Sequence, residues 1–243
     1  MNLAIIWKKE VLIMHKIKHT LFQNIRNKSN ISIKNIGLHY FQLIMKISLF
    51  YFYKIGKGTV QGEENLDKYK SCILALNHNS YLDWMVVYAY FKYEKNITIK
   101  FLAKEKLFKH ILWKPLIYAS KCILVPETPS FALYRDLYVK LRKNNSIVAI
   151  FPEGTRSPNG EIQDAHGGII NIALTSKKPI IPVGLSGFYD AWPRHKKFPK
   201  MFFSKKMIIN IGSPILLGEC MAPAYKKENT KKIMNSISAL VVK

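Results

Sequence analysis

The 243-residue chain carries 38 lysines and arginines against 15 acidic residues, a formal charge of +23. With 49% hydrophobic and 12% aromatic residues it has the composition of a folded chain, which excludes a disordered polycation. The length suits one large α/β domain or a domain with an appendage, and the charge selects anionic partners: lipid headgroups, phosphorylated substrates or nucleic acid.

Cys72, Cys122 and Cys220 are too far apart in sequence to suggest a disulfide framework or a metal site. Cys72 and Cys122, in apolar strand-like runs, read as small buried side chains, which fits a reducing compartment. The N-terminus is charged within eight residues and shows no small-residue cleavage site behind a clean apolar core, so a cleavable signal peptide is not expected.

Residues 1–35 are basic and irregularly apolar: Lys8, Lys9, Lys16, Lys18, Arg26, Lys28 and Lys34 are set against Glu10 alone. Leu3–His19 fits an amphipathic helix and Asn24–Asn35 a polar break. Residues 36–53, IGLHYFQLIMKISLFYFY, contain one formal charge, Lys46, and approach the length of a membrane span. A membrane-embedded or re-entrant helix is the favoured reading, with a buried core helix and a single-pass span as alternatives.

Lys57–Gly62 is turn-like and Glu63–Lys70 polar. The apolar run Cys72–Leu76 then enters LNHNSYLDW, and Trp84–Tyr93 follows as a helix. Ile97–Leu102 and Lys121–Val125 are short strand candidates, and Phe131–Asn144 is an amphipathic helix. Ser146–Phe151 is a buried strand that runs directly into FPEGTRS, and Ile169–Thr175 is helical. Ile180–Leu185 is a strand whose Pro182 points to a sheet edge or an interruption. Ser186–Lys200, aromatic and basic, lies over a cleft, on a membrane surface, or simply exposed. Lys205–Ile211 is a strand, and Asn229–Val242 closes the fold as a helix. Short apolar runs alternating with helices predict an α/β domain. The basic residues form no nucleic-acid module, and no nucleic-acid partner is expected.

Two polar segments follow strands, where functional loops concentrate. In the first, His78 and Asp83 are five residues apart. His78 suits a base and Asp83 the group that orients it. The alternative is a helix start, with Asn79 or Ser80 as cap and Asp83 in the first turn. In the second, Pro152 stops the strand and Gly154 permits an unusual backbone path, so Glu153, Thr155 and Arg156 are presented on a loop. Arg156 suits a phosphate. Glu153 is able to orient a hydroxyl, position the arginine or brace the loop. A plain strand-end turn with a local Glu–Arg pair is the alternative. His166 either helps bind an anion or satisfies its own loop.

Together, NHNSYLD and FPEGTRS resemble the glycerolipid acyltransferase family, especially bacterial 1-acyl-glycerol-3-phosphate acyltransferases. The resemblance runs through Phe101–Lys109 (FLAKEKLFK) and Ile180–Gly187 (IIPVGLSG), and covers roughly Val60 to Pro214. It implies a central, mostly parallel sheet flanked by helices, with a membrane-associated helical region at residues 1–58 and the acyltransferase domain at 59–243. It implies His78 and Asp83 as the catalytic pair, Glu153, Gly154, Thr155 and Arg156 as the acceptor motif, and no metal or other cofactor. Lys104 matches a segment that binds phosphate or the pantetheine-bearing donor. The implied reaction moves an acyl group from acyl-CoA or acyl-carrier protein to a lysophospholipid hydroxyl, at the cytoplasmic face of a bacterial inner membrane rich in anionic lipids. No GxSxG element is present, so a hydrolase is disfavoured.

Two departures bear on the acceptor. Where many members carry an arginine after the strand matching Cys122–Val125, this chain reads LVPET, with Glu127. Where many carry a basic residue before a glycine, it reads DAHGG, with His166. Arg135 or Lys121 is then a candidate to rebuild the phosphate site. Another lysolipid, such as a lyso-aminolipid, is the alternative acceptor, and a non-enzymatic membrane-surface protein is the remote alternative.

Overall fold

The computed structural model describes residues 30–69, 71–105, 119–126, 146–218 and 222–242, together with the helical positions Leu133, Arg135, Leu137, Val139 and Leu141. The Leu3–His19 helix, residues 106–118, Glu127 and Cys220 lie outside the described residues.

The apolar runs Ile73–Leu76 (β2) and Ile147–Ile150 (β5) are buried at every position. Strand geometry sends alternate side chains to opposite faces. Leu74, Leu76, Ile147 and Ala149 join one core, and Ile73, Ala75, Val148 and Ile150 the other. A strand apolar on both faces belongs inside a parallel sheet covered on both sides. β2 and β5 are indeed parallel neighbours near the middle of the sheet.

The described residues form a seven-stranded sheet. Its order is β1 (Thr59–Gln61), β7 (Ile208–Ile211), β6 (Ile180–Ser186), β2, β5, β3 (Ile99–Lys104) and β4 (Ile123–Val125). All pairings are parallel except β6 with β7.

One face of the sheet is covered by α1 (Asn30–Phe50), its π-helical extension Tyr51–Ile55, and α3 (Leu82–Ala89). A single turn, α2 (Glu64–Asp67), precedes β2. The other face is covered by α4 (Gly168–Ser176) and α6 (Pro223–Leu240), with Leu137 and Leu141 of an intervening helical segment. A short helix, α5 (Phe188–Ala191), follows β6.

α1 buries Phe41, Met45 and Leu49, one turn apart along a single stripe. Phe41 meets Tyr88 of α3 edge-on, with ring centroids 5.1 Å apart. Leu38 and Tyr53 remain exposed. Among the described residues, no helix is long and apolar enough to cross a membrane.

Two expectations are corrected. Lys57–Gly62 is not only a turn: Thr59–Gln61 pairs with β7 as an edge strand too short to show a period. Pro182 is not on an edge, because β6 lies between β7 and β2, with Pro182 beside Ala75. The missing N–H is tolerated because Pro182 presents its carbonyl, and therefore its nitrogen, toward the point where β7 ends. Gly212 N–H donates to that carbonyl at 2.8 Å, and the regular β6–β7 ladder begins only at Val183.

If α1 is part of the packed fold, Met45→Ala should destabilise the protein by about 2–5 kcal/mol, the range for emptying a core methionine site. Leu38→Ala on the exposed side should change stability by less than about 0.5 kcal/mol. Urea unfolding of the two variants checks this, and equal effects would place α1 outside the cooperative core.

Candidate active site

β6, β2, β5 and β3 are consecutive and parallel, so their C-terminal ends open on one edge of the sheet. In open α/β sheets that edge is where ligands bind. Four segments meet there: the loop after β2 with His78, the loop after β5 with Glu153 to Arg156, the end of β3 at Lys104, and the segment after β6. Asn77 ties the first to β6, donating through Nδ2 to Leu185 O at 3.0 Å and accepting from Leu185 N–H at 2.7 Å.

His78 Nδ1 lies 2.8 Å from Asp83 Oδ2. The same carboxylate oxygen accepts the backbone N–H groups of Asn79 at 2.7 Å and Ser80 at 2.8 Å. Asp83 is wholly buried, while the imidazole is 16% exposed. Both readings of this segment hold in part. Asp83 stands in the first turn of α3 and binds the N–H groups of the turn before it while also orienting the histidine, and Ser80 Oγ accepts the Leu82 N–H at the helix start at 3.1 Å. With the carboxylate accepting, Nδ1 carries the proton and Nε2 keeps its lone pair. Phe151 stacks on the imidazole, centroids 3.9 Å apart and planes 17° apart, which fixes the ring plane.

Glu153 is buried and joins the two loops. Its Oε1 accepts His78 N–H at 2.7 Å, and its Oε2 accepts Gln163 N–H at 3.0 Å. Ser157 N–H donates to His78 O at 2.7 Å, so the backbone of His78 is held on both sides. Burial raises the Glu153 pKa to about 7, against the lowering effect of the Gln163 and His78 N–H groups, with Asp83 adding to the rise. Of the three roles open to Glu153 in the sequence, its two oxygens are occupied with bracing.

The Arg156 guanidinium lies 3.6 Å from the centroid of Tyr81, a cation–π contact. Its Nη1 is buried without a hydrogen-bond partner among the described residues. A buried unpaired N–H carries a desolvation penalty that an anionic ligand would remove. Gly154 adopts φ +67°, and a Cβ there would lie 3.1 Å from His166 Cδ2 and 3.8 Å from Lys104 Nζ. Glycine is needed for the backbone path and gives room to His166, while Lys104 Nζ lies at an ordinary contact distance. Thr155 is exposed beside them, and Arg135 occupies an exposed helical position. Among the described residues, none of the contacts joining these loops involves Arg135.

The segment after β6 closes one side. Ser80 Oγ donates to Trp192 O at 2.8 Å, Tyr81 and Trp192 rings stand 5.0 Å apart, and Arg194 Nη1 reaches Arg156 O at 3.4 Å. Sequence reasoning did not single out Phe151 or Tyr81 as site walls, although each lies inside a motif. Trp192 falls in Ser186–Lys200, for which a place over a cleft was one of the readings.

The raised Glu153 pKa has a stability consequence. Between the unfolded value near 4.5 and the folded value of about 7, the native state holds a proton that the unfolded state has released. Stability from this group is therefore present below the lower value and is lost as pH rises to about 7. Relative to Glu153→Gln, the wild type should lose on the order of 2–3 kcal/mol between pH 5 and pH 8. Urea unfolding of both proteins at the two pH values measures the difference. A constant difference would mean that Glu153 is ionised throughout.

The family model described as Acyltransferase matches residues 57–186, more than half of the chain. A 1-acyl-sn-glycerol-3-phosphate acyltransferase of Cocos nucifera is 34% identical over 94 residues, covering 36% of this chain and 30% of that protein. The human 1-acyl-sn-glycerol-3-phosphate acyltransferase beta is 27% identical over 153 residues, 62% of this chain and 54% of that protein. A probable 1-acyl-sn-glycerol-3-phosphate acyltransferase of Mycoplasma genitalium is 22% identical over 205 residues, 83% of this chain and 75% of that protein. The chain thus spans about a third to a half of the first two relatives and three quarters of the third. The crystal structure of the 1-acyl-sn-glycerophosphate (LPA) acyltransferase from Thermotoga maritima shares the fold, with a TM-score of 0.59 at 22% identity over 92% of this chain and 87% of that one. With its parallel sheet, its paired loops and the match over residues 57–186, the chain belongs to the acyltransferase family.

Proposed function

We propose that the protein transfers an acyl group from an acyl-CoA or acyl-carrier-protein thioester to the free hydroxyl of 1-acyl-glycerol-3-phosphate, giving phosphatidic acid and a free thiol. The observation that carries this reading is the 2.8 Å His78–Asp83 contact, set against a loop whose buried Arg156 Nη1 has no partner among the described residues. The relatives named above as 1-acyl-sn-glycerol-3-phosphate acyltransferases support the acceptor.

In the proposed mechanism His78 Nε2 takes the proton of the acceptor hydroxyl. The oxygen attacks the thioester carbonyl, the C–S bond breaks, and the sulfur leaves with the proton from the imidazolium. Asp83 holds the tautomer and answers the transient positive charge. Ser80, wholly buried and bonded to Trp192 O, is not a nucleophile. Arg156, with Lys104 and His166 at Gly154, receives the acceptor phosphate. Glu153 and Gly154 shape this pocket from behind, and Thr155 lies at its exposed rim.

In this reading, residues 1–58 hold the domain of residues 59–243 at the anionic cytoplasmic face of an inner membrane. A second acceptor class is favoured by one observation: an imidazole, His166, faces Gly154 where many members place a stronger cation. A lysolipid with a weaker anionic headgroup, such as a lyso-aminolipid, suits that exchange.

The test is transfer from labelled acyl-CoA and acyl-carrier protein to a lysolipid panel. His78→Ala and Asp83→Asn should each lower kcat by about 10²–10⁴-fold while remaining folded. Arg156→Ala should raise KM for the phosphate-bearing acceptor by about tenfold or more, with a smaller effect on a neutral lysolipid. Folded His78→Ala protein with full activity would eliminate the mechanism. A panel in which only a lyso-aminolipid is acylated would select the second acceptor class.

A further inference from the structure

From Ala191 to Gly218 the chain contains no acidic residue. Within that stretch, Arg194, His195, Lys196, Lys197, Lys200, Lys205 and Lys206 are all exposed. Two large apolar rings stand among them: Phe198 is 68% and Phe202 89% exposed. Exposed phenylalanines are ordinary when single, but two in one strongly basic loop call for a partner.

The loop is not held out by lack of structure. Lys200 N–H donates to Ala191 O at 2.8 Å, Lys196 N–H to Pro193 O at 3.1 Å, and Trp192 Nε1 to Lys196 O at 3.0 Å. The Tyr51 hydroxyl donates to Lys200 O, and Tyr51 stacks on Phe203 with centroids 6.1 Å apart. The backbone is thus tied to the end of α1 on one side and, through Trp192 and Arg194, to Ser80 and Arg156 on the other. Phe198 and Phe202 are left outside this frame.

We propose that residues 194–206 form a membrane-docking surface that sets Phe198 and Phe202 into the acyl boundary of an anionic leaflet while the surrounding lysines and Arg194 meet lipid phosphates. Charge complementarity favours a lipid surface, because the patch sets two exposed apolar rings among basic side chains. Lys197 Nζ lies 5.6 Å from the Phe198 centroid, and among the described residues Lys205 alone of the patch reaches a carboxylate, Asp190 at 4.0 Å. Exposed rings and positive charge are the two parts of interfacial binding. A nucleic acid would use the charge, and a protein partner would use the rings with a polar rim; an anionic leaflet uses both. The proposal deepens the reading above and rests on it for the nature of the lipid. It differs from the N-terminal anchor in placing a second membrane contact beside the site, so that docking and the position of Arg156 are coupled through Arg194.

The test uses the full chain, with a photo-crosslinking phenylalanine analogue at position 198 or 202 and, as control, at Lys232 on the exposed side of α6. Vesicles are either neutral phosphatidylcholine or contain roughly a third anionic phospholipid. We expect lipid adducts at 198 and 202, at least fivefold more on anionic vesicles, and background adducts at 232. Replacing Lys196, Lys197 and Lys200 by glutamine should abolish the anionic preference. Equal adducts at 232, adducts to protein, or none on vesicles that bind the chain would overturn the proposal. Adducts at 198 and 202 in a protein that acylates no lysolipid would keep the surface and remove the acceptor reading. Normal acylation without such adducts would remove the surface alone.

Discussion

The position of the His78 backbone is the constraint on which the site depends. Its N–H is held by the buried Glu153 carboxyl and its carbonyl by Ser157 N–H, both from the loop after β5. Its side chain is held by Asp83 and by the face of Phe151. Each of these groups comes from the segment after β5 or from α3, which follows β2, the parallel neighbour of β5. A shift of one strand against the other would break the contacts to Glu153 and Ser157 together. The sheet therefore acts as the ruler that sets the distance between His78 and the loop that carries Arg156.

This arrangement buries an ionisable group and answers it with two backbone N–H groups. Glu153 is raised to about 7 chiefly by burial, and its two oxygens are spent on backbone N–H groups. A carboxyl there joins two loops with one side chain, since one oxygen reaches each N–H. An amide could accept with one atom only. Near neutral pH this buried brace gains its charge, so loop geometry and protonation are linked.

Much of the sheet was legible because burial on both faces writes an unbroken apolar run. Ile73–Leu76 and Ile147–Ile150 fall within the expected segments, and each is followed by the expected polar loop. β1 was not legible, since three residues on an edge carry no pattern. Pro182 misled because the rule against proline in a central strand assumes a neighbour that needs its N–H, and β7 ends at that point. The meeting of Lys104 and His166 at Gly154 depends on strand order, which local pattern does not encode. The apolar stretch 36–53 was ambiguous because a stripe that docks on α3 and a stripe that faces lipid use the same residues. The structure puts Phe41, Met45 and Leu49 in the core.

The central claim is that Asp83 fixes the His78 tautomer so that Nε2 faces the acceptor hydroxyl with a free lone pair. The direct measurement is the ¹⁵N spectrum of His78 in the labelled protein, assigned by comparison with His78→Ala. The account predicts a neutral ring protonated at Nδ1, with a pyridine-like Nε2, and loss of that preference in Asp83→Asn. A ring protonated at Nε2 in the wild type, or an unchanged tautomer in Asp83→Asn, would contradict it.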